Sequence, residues 1–171
     1  MQDYNINLNS ITKESKFYSF IIRDDFFKAF ESSEVTKANI DIVINAKKEY
    51  KKYILNIKLT GVIKNILCDL CTEELNIPVK NSTAIILQES KEQLESSDEI
   101  IYILPHQNTI NLKSLFFEII TLSIPNKRIH INDQEGNSEC NNDMLELIEK
   151  YMQKEVVYDE RWKKLNEIET I

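Results

Sequence analysis

The sequence predicts an α+β fold, in which the N-terminal two thirds form an antiparallel sheet or partly closed β-barrel with C-terminal helices packed on it. Up to about residue 110, apolar and polar residues alternate, which is typical of strands that bury one face. From Asn111 onwards, apolar residues recur at intervals of three or four, which indicates amphipathic helices. We find neither a linker nor an internal repeat, so we predict a single domain over residues 1–171.

The first elements of the predicted sheet are short. Alternation over residues 4–8 and 17–22 predicts two strands, and the second is apolar on both sides and therefore expected to be buried. Asp24 is a candidate N-cap for the short helix that follows. The aromatic residues of this helix, which we expect in the core, are Phe26, Phe27 and Phe30.

A strand, a turn and a second strand are predicted between residues 39 and 67. The polar connection lies at residues 47–52, where four lysines favour a solvated hairpin end over a binding site. Further strands are predicted at residues 75–79, 82–87 and 100–104. The last of these strands ends at Pro105.

An acidic stretch, residues 88–99, interrupts the strands. Its sequence, QESKEQLESSDE, has little apolar surface to bury, so we predict a mobile acidic loop. The alternative interpretation is a docking segment for a basic partner. The acidic residues that would make such contacts are Glu92, Glu95, Asp98 and Glu99.

Three helices are predicted in the last third of the chain. Asn111 is a candidate N-cap for the first helix, which ends near Ile124-Pro125. Asn142 or Asp143 is the candidate cap of the second helix. The third helix begins at Asp159, and its apolar side consists of Trp162, Leu165 and Ile168.

The composition argues against several functional classes. Two glycines, Gly61 and Gly136, are too few and too far apart for a glycine-rich phosphate-binding loop. We find no acid–base or nucleophile constellation, which argues against an enzyme with a small-molecule substrate. A net charge of −7 disfavours sequence-independent binding of nucleic acid, although a local basic patch or a protein partner is compatible with it.

The expected location is cytoplasmic, without a membrane partner. No apolar run approaches the ~20 residues that span a bilayer. The N-terminus, MQDYNINLNS, lacks the basic and then apolar order of a signal peptide. The three cysteines cannot all pair with one another, which agrees with a reducing compartment.

The most informative stretch is GVIKNILCDLCTEEL, residues 61–75, where Cys68 and Cys71 lie at a bend between two predicted strands. Three interpretations remain open. A structural zinc half-site needs two further ligands. A redox pair needs its first cysteine at a helix N-terminus, whereas β-type alternation precedes Cys68 here. The third interpretation is a pair of reduced thiols at a hairpin, and Thr72 stands where many zinc knuckles have glycine.

The order and spacing of several short motifs resemble those of the YceD-type large-subunit ribosomal RNA accumulation proteins. The resemblance covers roughly residues 53–168. The motifs that carry it are Gly61, Cys68 and Cys71, the acidic stretch, Asn111-Leu112, Ile124-Pro125, and Asp159-Glu160-Arg161-Trp162 before Leu165.

This resemblance implies a non-enzymatic factor that supports accumulation of large-subunit ribosomal RNA and ribosome assembly. Many members have a second, cysteine-rich half-site, whereas this chain has only His130 and Cys140 in that region. We nevertheless predict one structural zinc, because three sulfurs and one imidazole form a regular ligand set. The predicted ligands are Cys68, Cys71, His130 and Cys140. The alternative is that the second pair is coincidental.

Two arrangements would let an acidic protein serve ribosomal RNA. In the first, which we favour, the acidic stretch holds a basic ribosomal protein. In the second, a small cationic surface contacts the RNA, and its candidates are Lys127, Arg128, Lys163 and Lys164. A structural or adaptor domain for an unrelated protein partner is a separate functional class that also remains open.

Overall fold

The computed structural model describes residues 3–31, 33–91, 94–95, 97, 99–130 and 139–152. The strands are β1 (Asn5–Asn7), β2 (Lys16–Ile22), β3 (Lys37–Glu49), β4 (Lys52–Leu67), β5 (Glu74–Glu89), β6 (Ile100–Ile103) and β7 (Thr109–Asn111). The helices are α1 (Asp24–Phe27), α2 (Lys113–Leu122) and α3 (Asn142–Met152), and a 3-10 turn at Leu8–Ser10 follows β1.

The main sheet has the strand order β2-β3-β4-β5-β6, and β1 pairs with β7 in a separate two-stranded sheet. The α+β class is confirmed, but the main sheet is mixed because β6 runs parallel to β5. In the described residues both sheets are open, so the partly closed barrel is not seen. The sequence of a four-residue strand does not indicate whether the strand runs parallel or antiparallel to its neighbour. The parallel pairing, with Ile100 beside Ile86, requires the chain to return past the end of β5 before β6 begins.

Regular alternation explains the long hairpin of β3 and β4, in which alternate residues are buried along most of both strands. The predicted polar connection at residues 47–52 is shorter than expected, since β3 continues to Glu49 and β4 begins at Lys52. Tyr50 takes a left-handed conformation at the turn, with φ of 55°. Lys48 lies within β3, opposite Tyr53 of β4, and its ammonium lies 4.6 Å from the centroid of the Tyr53 ring.

β5 joins two predicted strands, 75–79 and 82–87, into one element of 16 residues. The polar pair Lys80-Asn81 looks like a break in the sequence, but both residues lie within the strand. The Asn81 side chain donates a hydrogen bond of 2.9 Å to Ser123 Oγ at the end of α2. β5 also continues to Glu89, so the predicted loop at residues 88–99 begins later than expected.

Gly61 lies on β4 opposite Ile40, where the two strands leave no room for a side chain. A Cβ atom at this position would lie 2.6 Å from the Ile40 Cα and closer still to the Asn39 carbonyl oxygen. Any larger residue would therefore push β3 away from β4. A register shift between Ile63 and Ile66 then bends β4 towards the turn that holds Cys68 and Cys71.

Aromatic side chains dominate one end of the core, between the main sheet and α2. Phe116 of α2 lies 5.1 Å from Phe20 of β2, and Phe26 lies 5.2 Å from Tyr4, measured between ring centroids. Phe26 and Phe27 are buried as predicted, and Phe30 packs against Phe117. Asp24 is not the N-cap of α1, because its carboxylate accepts a hydrogen bond from the Ala38 N–H of β3 instead.

The helices begin close to the predicted positions. The Asn111 side chain accepts a hydrogen bond from the Lys113 N–H, although Leu112 is the N-cap residue of α2. The cap of α3 is Asn141, whose side chain accepts from the N–H groups of Asp143 and Met144. The helix predicted from Asp159 lies outside the described residues. Among the helices that are described, none is long and apolar enough to cross a membrane.

Candidate metal centre

The turn between β4 and β5 brings Cys68 and Cys71 to the end of the sheet. The Cys68 N–H donates to the Glu73 carbonyl at 2.9 Å and the Thr72 N–H donates to the Cys68 carbonyl at 3.0 Å, which closes the turn. Thr72 takes a left-handed conformation with φ of 60°, the conformation that favours glycine at this place. The Leu70 N–H points at the Cys68 sulfur, at 3.5 Å.

A reciprocal clasp between Asp69 and Arg128 holds the segment before His130 against this turn. The Asp69 N–H donates to the Arg128 carbonyl at 2.7 Å, and the Arg128 N–H donates to the Asp69 carboxylate at 2.7 Å. The guanidinium of Arg128 also contacts Asp69, at 3.3 Å, and Glu34, at 3.0 Å. His130 is two residues further along the chain, so the clasp lies beside the segment that carries the third predicted ligand.

Cys140 reaches the same place from the other side of the segment 131–138, which lies outside the described residues. Asn141 anchors it, since its side-chain amide donates to the Glu73 carboxylate at 2.8 Å while its carbonyl oxygen caps α3. Cys140 is buried. The start of α3 is thereby fixed to the turn between β4 and β5.

The four side chains predicted as metal ligands lie together. Their ligand atoms all lie within 4.8 Å of one another, so this Cys3His cluster is able to hold a metal ion. The Cys68 and Cys140 sulfurs are 3.8 Å apart. The His130 Nδ1 atom is 3.4 Å from the Cys71 sulfur and 3.6 Å from the Cys140 sulfur.

These distances match the edges of a tetrahedral zinc site. With Zn–S bonds of about 2.3 Å and a Zn–N bond of about 2.0 Å, tetrahedral angles place two sulfurs about 3.8 Å apart and a sulfur and a nitrogen about 3.5 Å apart. The remaining pairs of ligand atoms lie within 4.8 Å, so a bound metal would draw them together by at most about 1 Å. A metal held by all four side chains would have the closed arrangement of a structural site rather than the open one of a catalytic site.

The electrostatics of the cluster favour a thiolate. Burial of Cys68 raises the pKa of its thiol, but hydrogen bonds from the backbone of Cys71, Leu70 and His130 and from the Cys71 side chain outweigh this. The pKa of Cys68 is therefore lowered from 9.0 to about 6. A thiolate is the form that binds a metal ion.

A redox pair fits this environment less well. The Cys-x-x-Cys lies in a turn between two strands and not at a helix N-terminus. All three cysteines are buried, with at most 5% of any one residue exposed, so a disulfide substrate would have no access to them.

The other predicted contact residues are scattered. Lys127 is exposed, whereas Arg128 is engaged by the carboxylates of Asp69 and Glu34. Glu95 and Glu99 are exposed, and Glu92 and Asp98 lie outside the described residues, as do Lys163 and Lys164. The role of Asp69 was missed from the sequence, where its only signal is a carboxylate inside the Cys-x-x-Cys and an arginine two residues before His130.

The described residues thus define a small α+β protein with a Cys3His cluster, at the end of a sheet, that is able to hold a metal ion. Residues 55–169, more than half of the chain, match the model of the family described as large ribosomal RNA subunit accumulation protein YceD. The chain belongs to this family. Searches of curated proteins and of solved structures return no significant match.

Proposed function

We propose that this protein is a non-enzymatic factor that supports accumulation of large-subunit ribosomal RNA during ribosome assembly, and that its Cys3His cluster binds one structural zinc. The observation that carries the proposal is the family match over residues 55–169, which includes all four residues of the cluster. The family's name describes accumulation of an RNA and no chemical reaction.

The zinc would act on the architecture of the protein. Cys68 and Cys71 belong to the turn between β4 and β5, whereas His130 and Cys140 belong to the chain between α2 and α3. A metal held by both pairs joins residues that are 59 to 72 positions apart in the sequence. Because the four ligands meet only in the folded chain, the free energy of zinc binding adds to the free energy of folding. With four protein ligands, no position is left for a substrate.

The direct partner is ribosomal RNA or a basic ribosomal protein. The acidic stretch supports a protein partner, since Glu95 and Glu99 are exposed and free carboxylates attract basic surfaces over a Debye length. A factor that binds the RNA, or that binds a ribosomal protein destined for it, would protect the RNA until the subunit is assembled.

The test is a deletion of the gene followed by complementation. We expect the deletion to lower the ratio of large- to small-subunit ribosomal RNA, and the wild-type gene to restore it. A variant with Cys68→Ser and Cys140→Ser should restore it less well, because the zinc tether is lost. An unchanged ratio in the deletion strain would reject the proposed function, whereas full rescue by the double variant would reject only the zinc.

Affinity purification with and without nuclease identifies the partner class. Large-subunit components that are lost on nuclease treatment would indicate RNA, and components that are retained would indicate a ribosomal protein.

A further inference from the structure

The main sheet has an outer face, which consists of the side chains of β2 to β6 that point away from the core. Strand register defines it, because residues directly opposite on neighbouring strands lie on the same side. On β2, the residues of this face are Phe17, Ser19 and Ile21. Phe17 is 67% exposed and Val43 of β3 is 42% exposed, so in the described residues the part of this face on β2 and β3 around them is open to solvent.

The outer face is basic although the protein is acidic. Lysines occupy six of its positions on the three long strands, and they are Lys37, Lys47, Lys52, Lys58, Lys64 and Lys80. The carboxylates on the same strands and side are three, and they are Asp41, Glu49 and Glu74. Glu49 already pairs with Lys47. The net charge of −7 therefore conceals a surface of the opposite sign.

The lysines are placed where their charges repel one another. Lys37 and Lys64 are directly opposite across β3 and β4, a like-charge pair that destabilises a sheet. Beside them a surface cleft is lined by the same two lysines together with Arg23 and Lys28. The Lys28 side chain pairs with Asp25, and Asp24 keeps its charge while it accepts from the Ala38 N–H. The four cations and two carboxylates that line the cleft therefore leave it with a formal charge of +2. An anion bound here would relieve the repulsion.

Short polar side chains lie between the lysines on the outer face, beside apolar ones such as Val43, Ile54 and Val62. Asn39, Asn56, Thr60 and Ser82 offer donors and acceptors on the same side of the sheet, without bulk that would keep a ligand away. Two aromatic side chains are exposed nearby, Phe17 on the edge strand and Tyr50, 98% exposed, at the hairpin tip. Such rings are able to stack on unpaired bases.

We infer that the outer face of the main sheet binds single-stranded RNA. From Lys52 to Lys64, β4 alone offers a track of about 40 Å at about 3.3 Å per residue, which suits the roughly 4–16 nucleotides that a small sheet domain holds. The lysines hold the phosphates by displacing counterions, and Phe17 stacks on a base. The inference deepens the proposed function, and rests on it in taking RNA from a ribosomal precursor as the natural ligand.

The inference is tested with a triple variant, Lys58→Gln, Lys64→Gln and Lys80→Gln, and a control triple, Lys16→Gln, Lys91→Gln and Lys150→Gln. All six lysines are exposed, and both variants change the net charge equally. The control lysines lie off the outer face, because Lys16 is opposite the buried Ala46 on the other side of β2, and Lys91 and Lys150 lie outside the strands of the main sheet. Circular dichroism and zinc content serve as checks that both variants fold like the wild type.

The probe is a fluorescein-labelled 20-nucleotide oligouridylate, followed by fluorescence anisotropy at several salt concentrations. We expect the outer-face triple to raise the Kd by about tenfold or more and to reduce the salt slope by about two, since each lost phosphate contact removes about 0.7. The control triple should change the Kd less than about twofold, because long-range effects of exposed charges are screened. Phe17→Ala should weaken binding without changing the salt slope, because stacking releases no counterions.

Three outcomes would overturn the inference. They are a wild-type protein that does not bind the oligonucleotide, equal losses in the two triples, and an outer-face triple that keeps RNA binding but loses a nuclease-resistant acidic protein partner. Failure of the proposed function is a separate result. A deletion strain with a normal ribosomal RNA ratio would reject that function, even if the lysines of the outer face held the oligonucleotide as expected.

Discussion

Replacing Asp69 tests whether the clasp with Arg128 positions the third ligand of the metal centre. Asp69 accepts hydrogen bonds from both the backbone and the guanidinium of Arg128, two residues before His130. Hydrogen bonds to a charged group each contribute about 1.5–3 kcal/mol to stability. Solvent reduces this figure here, because 35% of the Asp69 side chain and 28% of the Arg128 side chain are exposed. We therefore expect Asp69→Ala to cost about 1.4 kcal/mol of zinc binding, which is about tenfold in affinity.

The measurement is competition for zinc with a chromophoric chelator. Asp69→Asn should fall between wild type and Asp69→Ala, because an amide oxygen still accepts from the Arg128 N–H but carries no charge. Asp25→Asn is the matched control, since Asp25 is an exposed carboxylate that pairs with Lys28 away from the cluster. If Asp69→Ala binds zinc as tightly as the control, the clasp does not position His130 and the reasoning is wrong.

The remaining predictions concern the metal, the sheet and the acidic stretch. Protein purified without a histidine tag should contain about one equivalent of zinc, as expected of a tight structural site, and chelation should lower its Tm; less than about a tenth of an equivalent would exclude zinc. Gly61→Ala should lower the free energy of unfolding, measured in urea, by about 2 kcal/mol or more, because the new Cβ meets the backbone of β3. An unchanged urea midpoint of unfolding would show that β3 moves to make room for the methyl group without loss of stability. Neutralising the acidic stretch should weaken binding of a basic ribosomal protein and make the remaining binding less dependent on salt. The double variant Lys127→Ala with Arg128→Ala should weaken this binding less. If the double variant weakens it more, the acidic stretch is not the docking segment. The residues to neutralise are Glu92, Glu95, Asp98 and Glu99.

The long hairpin and the turn with two cysteines could be predicted because their signals are local. Alternation along β3 and β4 depends only on which face of each strand is buried. The position of Cys68 and Cys71 between two strands follows from the same pattern. Their proximity to His130 and Cys140 could be proposed only from ligand chemistry and family resemblance, since no local pattern relates residues that far apart.

The clasp, the parallel strand and the outer face could not be predicted, because each depends on which segments become neighbours. Asp69 and Arg128 meet only once the chain after α2 returns to the turn between β4 and β5. The parallel pairing of β6 depends on a crossover that its four residues do not encode. The polar connection predicted at residues 47–52 illustrates the same limit, since lysines in a strand and lysines in a loop look alike until the register is known.

The strand register also matters for whether an acidic protein is able to bind RNA. A total of −7 sums over the whole surface, whereas the field at a bound phosphate decays over about 8 Å at physiological salt. A phosphate on β4 therefore responds to Lys58 and Lys64 more than to carboxylates on the far side of the molecule. Since alternation sends every second residue of a strand to the same side, a lysine at every sixth position of β4 accumulates on one face, while acids elsewhere dominate the sum. An acidic composition is thus compatible with an RNA-binding face, and leaves the acidic stretch available for a basic protein.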